Sequence, residues 1–279
     1  MQPPPPRGPS VLLTGPPGTG KSYSLVTIME AGYPLYLIVT EPNGLETLIT
    51  AMQARSIPPD MLRYRVIEPA REGFDSLFKM SVMVTQMGYD ALSKMGPTER
   101  SKAQYLNVVS TFGNFIDDRT GASHGPVDHL RANCAVALDS LSGLNLMAMD
   151  LTIGNKVTAH QGEWGVAMNM LDKLLLTLTS NLKAMFVLTA HVERETDDNT
   201  RMSKLMTSTL GRKLAPKIPR FFSEYVLTST EGGKYYWNTT SAEMDLKHRA
   251  LPLGQKLAPS FKPIIDAYNS RLEYLKTQP

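Results

Sequence analysis

The stretch VLLTGPPGTGKS, residues 11–22, constrains this chain more than any other. Its apolar start, residues 11–14, reads as a buried strand, and Gly15, Pro16, Pro17, Gly18, Thr19, Gly20, Lys21 and Ser22 satisfy the pattern G-x-x-x-x-G-K-[ST] in full. A helix is expected from Lys21 to about Ala31, ending at Gly32. In a strand–loop–helix, glycines let successive backbone N–H groups and the helix N-terminus point at phosphate oxygens. Lys21 would neutralise the β- and γ-phosphates, and Ser22 would offer an oxygen to Mg²⁺. The motif predicts a site for a nucleoside triphosphate, ATP with Mg²⁺.

The rest of the pattern predicts an α/β fold. Apolar runs at residues 35–40, 63–67, 134–138 and 184–190 read as strands, separated by helical segments. Asn43 and Glu46 suggest an N-cap and capping box for a helix through Ala54. Residues 74–116 read as mostly helical with a break at Gly96–Pro97, and residues 117–128 as loop. Late in the chain, FFSEYVLTST and KYYWNTT flank Glu231-Gly232-Gly233 as a hairpin. The expectation is a mostly parallel central sheet flanked by helices, with a C-terminal antiparallel hairpin. Residues 1–9 form a proline-rich leader, 10–251 the core, and 252–279 a partly helical tail. At 279 residues and 42% hydrophobic the chain has material for a sizeable core, and its single cysteine, Cys134, excludes an internal disulfide framework. A net charge of +3 leaves any basic surface local. No apolar run is long enough for a membrane span, and the leader has no signal-peptide core; a cytoplasmic protein is expected, in the host cytoplasm if phage-encoded.

Two acids stand where strands end. Asp139 follows the strand CAVAL, and it suits magnesium, directly or through a water. Glu41 follows LYLIVT, at the carboxyl end of a strand where open α/β sheets bind ligands. An AAA+ enzyme would carry a second acid beside Asp139, and here Ser140 stands there instead. Glu41 is thus the candidate base for water, against the plainer reading of a solvated acid before Pro42. Cys134 reads as core and not as a nucleophile, and five scattered histidines show no zinc spacing.

This layout resembles the RecA family, where a catalytic glutamate follows the strand after the phosphate-loop helix. ALDSLSGL resembles that family's magnesium strand and its following serine, and VLTAH the strand ending in a γ-phosphate sensor, here His191 where RecA has glutamine. LKHR is similar to the paired basic residues that reach a neighbour's nucleotide, which implies that Lys247 and Arg249 act in trans. The plainer readings are a strand cap for His191 and a solvated charge pair for Lys247 and Arg249. With GRKLAPKIPRFF and the hairpin, the pattern looks most like the phage-borne RecA-like ATPases of single-strand annealing. The resemblance spans residues 10–251, strongest at the phosphate loop and weakest over 69–128. Where the family carries an N-terminal oligomerisation domain, the proline-rich leader is expected to be a short stand-in at best.

That resemblance implies a homo-oligomer, filament or ring, on single-stranded DNA, with a single-strand DNA-binding protein as a further partner. Two segments match its DNA loops, residues 152–163 with Lys156 and His160, and 193–211 with Arg194, Arg201 and Lys204, followed by Arg212, Lys213 and Lys217. Such cations suit backbone phosphates, with Met202 and Met206 as wedges between bases. Glu193, Glu195, Asp197 and Asp198 weigh against this, and a plain surface loop is the competing reading. Two alternatives share the core: a hexameric DnaB-like helicase or packaging motor, and a nucleotide-gated interaction module without turnover.

Overall fold

The computed structural model describes residues 7–69, 73–86, 98–154, 156, 159–196 and 203–277. Pro3 to Pro6 of the leader and the expected break at Gly96–Pro97 lie outside these residues. The main sheet joins β1 (Ser10–Thr14), β2 (Leu35–Val39), β3 (Leu62–Val66), β4 (Ala135–Asp139) and β5 (Met185–Ala190). A separate antiparallel ribbon follows, β6 (Val192–Thr196) with β7 (Ser203–Thr207), and then β8 (Glu224–Glu231) and β9 (Lys234–Asn238) return to the main sheet. Its order is β3-β2-β4-β5-β1-β8-β9, parallel throughout except for β9 against β8. Strand β5 thus lies between β1, which leads into the glycine loop, and β4, which ends at Asp139.

Continuous apolar strands need helices on both faces, because successive side chains alternate across a sheet. On one face Leu12, Ile38, Val136, Leu138 and Phe186 pack under three helices. On the other, Val11, Leu13, Leu37, Ala137 and Val187 form a second core with the helices flanking the phosphate loop and the C-terminal helix. In chain order the helices are α1 (Lys21–Ser24), α2 (Val26–Glu30), α3 (Gly44–Ala54), α4 (Phe74–Gln86), α5 (Glu99–Gly113), α6 (Leu141–Ile153), α7 (Gln161–Asn181), α8 (Gly211–Leu214) and α9 (Lys262–Lys276). Helices α5, α6 and α7 cover the first face, and α2, α3 and α9 the second.

Local details depart from the sequence expectation. The helix expected over residues 21–31 divides at Leu25, whose N–H bonds back only three residues, to Ser22 O. Asn43 precedes α3 but has φ 67°, a left-handed conformation, and its side chain makes no cap bond. Of residues 193–211, expected as a loop, 193–196 and 203–207 belong to the β6–β7 ribbon and Gly211 opens α8, while 197–202 lie outside the described residues. On the outer edge of the sheet, Asp117 and Asp118 accept the N–H groups of Tyr64 and Val66 at 3.2 and 2.8 Å, which closes the exposed side of β3.

Candidate active site

Four consecutive strands, β2, β4, β5 and β1, end side by side. Because they are parallel, their carboxyl ends deliver Glu41, Asp139, His191 and the glycine loop to one cleft of about 350 Å³. The cleft is lined also by Ser22, Tyr23, Asn43, Thr47 and Tyr235.

The loop is fixed from behind by β8. Thr19 Oγ1 lies 2.6 Å from Thr228 Oγ1 and donates to Pro16 O at 2.8 Å, while Thr230 Oγ1 donates to Gly18 O at 3.3 Å. Gly15 is required by this closeness, since a Cβ there would fall 2.2 Å from Thr228 Oγ1. The signal for this buttress was present as the alternation T-S-T in VLTSTEGG, which puts Thr228 and Thr230 on one side of a strand. The lysine is 7% exposed, and its Nζ donates to Gly15 O and Pro16 O at 2.9 and 2.8 Å. Burial lowers its pKa, against the raising charges of Asp139 and Glu41.

Asp139 is buried, and Thr189 Oγ1 donates to its Oδ1 at 2.5 Å. Burial raises its pKa, against the lowering contributions of the Ser22 and Thr189 hydroxyls. Its Oδ2 is buried and, among the described residues, accepts no hydrogen bond. An unshared carboxylate oxygen beside a serine hydroxyl fits a hard divalent cation, so Ser22 and Asp139 suit Mg²⁺.

Glu41 is placed by a latch. Thr40 Oγ1 donates to Ser140 O at 2.6 Å and accepts from Ser140 N–H at 2.8 Å, tying the ends of β2 and β4. The Ser140 hydroxyl then donates to Glu41 Oε1, and His191 Nε2 lies 3.4 Å from Glu41 Oε2. Burial works to raise the Glu41 pKa, but the bonds from His191 and Ser140 and the nearby positive charges outweigh it, and the net shift is downward. On its other side, His191 Nδ1 lies 3.5 Å from Lys21 Nζ. Of the sequence-stretch residues, the structure therefore unites Lys21, Ser22, Glu41, Asp139 and His191, and it adds Thr40, Thr189, Thr228 and Tyr235.

Lys247 and Arg249 stand elsewhere. The main chain of Lys247 bonds to Tyr225, level with Leu12 in the middle of β1, while the phosphate loop follows the end of that strand. Both side chains line a second cleft of about 580 Å³ with Arg7, Arg220 and Arg271. The segment is held by the buried Glu224 carboxylate, which accepts N–H bonds from Arg249 and Ala250. Neither cation lines this chain's own phosphate cleft.

The expected DNA contacts are scattered. Lys156 pairs with Glu163 at 2.6 Å, Arg194 with Glu243 at 3.1 Å, and Lys204 with Asp245 at 3.7 Å. Arg201 and Met202 lie outside the described residues, as do the side chains of Arg212 and Lys213 on α8. Cys134 is buried in the core with its pKa raised to about 11, chiefly by burial. Among the described residues no helix is long and apolar enough to cross a membrane.

No protein-family model matches this sequence, and no curated protein matches it. Among solved structures 31 chains match. One is the assembled ATPase EscN of the enteropathogenic E. coli type III secretion system, 12% identical, with a TM-score of 0.39. The alignment covers 80% of this chain and 43% of that one, so this chain spans less than half of its length. The mostly parallel sheet and the complete glycine-loop motif are together those of a P-loop nucleotide-binding fold.

Proposed function

We propose that this chain hydrolyses ATP at the cleft behind Gly15–Ser22, as an oligomer acting on single-stranded DNA in recombination or annealing. One observation carries the catalytic part: Lys21, Glu41, Asp139 and His191 come from four consecutive parallel strands and converge on one cleft. Lys21 leaves the loop carbonyls for the β- and γ-phosphate oxygens, which offer a full negative charge in place of two neutral acceptors. Glu41, kept ionised by its partners, holds a water by one oxygen and takes its proton as the water oxygen bonds to the γ-phosphorus and the bond to the bridging oxygen breaks. His191 bridges the two, touching Glu41 and Lys21, and so reports the γ-phosphate to the base. When bound, Mg²⁺ held by Ser22 and Asp139 would neutralise charge on the phosphate oxygens.

Among the described residues Lys21 is the only lysine or arginine lining that cleft, which leaves room for a cation from a second copy to meet the charge of the transferring phosphoryl group. Lys247 and Arg249, on the far cleft, fit that role in a head-to-tail assembly. The DNA part rests on the family resemblance and on exposed cations whose ion pairs are exchangeable for phosphates. Such surface pairs are worth about 0–1 kcal/mol each.

The test is steady-state ATP turnover with Mg²⁺, alone, with single-stranded DNA, and with a forked duplex. Turnover that rises with single-stranded DNA and falls off with salt is the expected result. Unwinding of the fork would assign a translocating motor instead, and binding without turnover would assign a nucleotide-gated module.

A further inference from the structure

We infer that Tyr235 and Tyr23 form the seat of the nucleobase, and that this seat reads the flatness of the base and not its hydrogen-bonding edge. The inference rests on the reading of the cleft as a nucleoside triphosphate site. Among the described residues these two tyrosines are the aromatic side chains that line it. Tyr23 directly follows Ser22, at the start of α1, where a triphosphate laid along the glycine loop would end. Tyr235 reaches the same place from β9, and its ring covers Gly20 so closely that a Cβ there would lie 2.5 Å from the ring Cγ. The phosphate chain thus leads to the two rings.

The rings are held in place yet not buried. Their centroids are 5.3 Å apart at an angle of 50°, leaving an open wedge and not a closed stack. The Arg55 guanidinium lies 4.9 Å from the Tyr23 ring centre and donates to the Tyr23 hydroxyl at 3.2 Å. Glu30 in turn fixes Arg55 at 3.2 Å. The chain Glu30–Arg55–Tyr23–Tyr235 therefore presets the platform, which lowers the ordering cost of binding. Both tyrosines are half-exposed, whereas the nearby Trp237 of the same strand is fully packed against Phe261. With the Tyr23 hydroxyl engaged by Arg55, the platform offers π-faces to the base, and every base has a π-face.

A competing reading gives Tyr235 a purely mechanical role, as a prop for the glycine loop. Calorimetric titration of the full chain with Mg²⁺ and ATP, GTP or inorganic tripolyphosphate separates the two. Tyr235→Leu keeps apolar bulk over Gly20 but removes the ring face, and Tyr235→Phe keeps the face and removes the hydroxyl. Wild type is expected to bind ATP and GTP within a few-fold of each other. Tyr235→Leu should weaken both by roughly tenfold while sparing tripolyphosphate, and Tyr235→Phe should bind like wild type. Equal loss of tripolyphosphate affinity would make Tyr235 a prop and overturn the inference. So would unchanged ATP affinity in Tyr235→Leu, or a wild-type preference between ATP and GTP of roughly 100-fold, the mark of hydrogen-bonded base readout. A wild-type protein that binds neither ATP nor tripolyphosphate would instead remove the nucleotide reading itself, and this seat with it.

Discussion

The imidazole Nε2 of His191 lies 3.4 Å from Oε2 of Glu41, although 150 residues separate them in sequence. The contact exists because β2 and β5 flank the same strand, β4, so that the residues just past their ends meet across Asp139. It makes the two residues one unit. Glu41→Gln preserves the shape but removes the acceptor for a proton, so nucleotide binding should persist while turnover falls by roughly 10²-fold or more. His191→Ala should lower turnover less. Since His191 helps to hold the Glu41 pKa down, its loss raises that pKa, and the acid limb of the turnover profile should move to higher pH. A profile unmoved by His191→Ala, or normal hydrolysis by Glu41→Gln, would take the base away from Glu41.

Lys21→Ala should abolish tight ATP binding with the fold intact. The side chain is buried, but its bonds go to two loop carbonyls that water can reach once the ammonium is gone, and it supports no part of the apolar cores. Losing a charged partner of the phosphates is expected to cost about 2–5 kcal/mol of binding, more than tenfold in Kd. Titration calorimetry reads the binding and circular dichroism the fold. ATP affinity close to wild type in the folded variant is the result that counts against this site.

Much of this site was legible in the sequence because each of its parts sits at a strand end, and apolar strands are the strongest local pattern in the chain. Glu41, Asp139 and His191 each follow such a run directly. What the pattern missed is set by tertiary contact. Asn43 has the right identity and spacing for a cap, yet the chain turns through a left-handed residue to seat Gly44 beside Asp139, where a Cβ would lie 3.2 Å from Oδ2. Thr228 and Tyr235 belong to a hairpin more than two hundred residues from the loop they support, and although the T-S-T alternation puts Thr228 and Thr230 on one side of a strand, nothing local says that this side meets the loop. The β6–β7 ribbon was masked by its composition, since its exposed charged residues hide the alternation of a strand.

Asp117 offers a stability prediction away from the chemistry. It is 1% exposed and accepts from the N–H groups of Tyr64 and Arg119 and from the Thr120 hydroxyl, which joins the loop after α5 to the edge strand β3. Burial works to raise its pKa, and these bonds with the Arg119 charge outweigh it, so the net shift is downward from 3.8. Asp117→Ala should cost about 1–3 kcal/mol at neutral pH, by leaving buried donors unpaired. A carboxyl with a lowered native pKa contributes its stability above the ordinary value and loses it as the pH falls through the native one. Denaturant unfolding should therefore show the gap between wild type and Asp117→Ala full at neutral pH and narrowing only in acid below 3.8. A gap that widens in acid would contradict the sign.

The placement of Lys247 and Arg249 makes the sharpest demand on the proposed assembly. The backbone of Lys247 is level with Leu12 and that of Arg249 bonds to Glu224, level with Val11, whereas the phosphate loop begins beyond Thr14, and neither side chain lines the loop's cleft. Acting within one chain they would have to leave the far cleft and reach past the end of β1. Acting between chains they need only a head-to-tail contact that sets the far cleft of one copy against the phosphate cleft of the next. Each substitution, Lys247→Ala or Arg249→Ala, should then spoil turnover while sparing ATP binding to the single chain. Turnover per subunit should rise with protein concentration, since the second cation arrives only on assembly. A mixture of Lys21→Ala and Lys247→Ala proteins should recover part of the activity, because one copy keeps the intact loop and the other the intact cations. If mixed assemblies form and stay inactive, and turnover per subunit does not depend on concentration, Lys247 and Arg249 do not complete a neighbour's site.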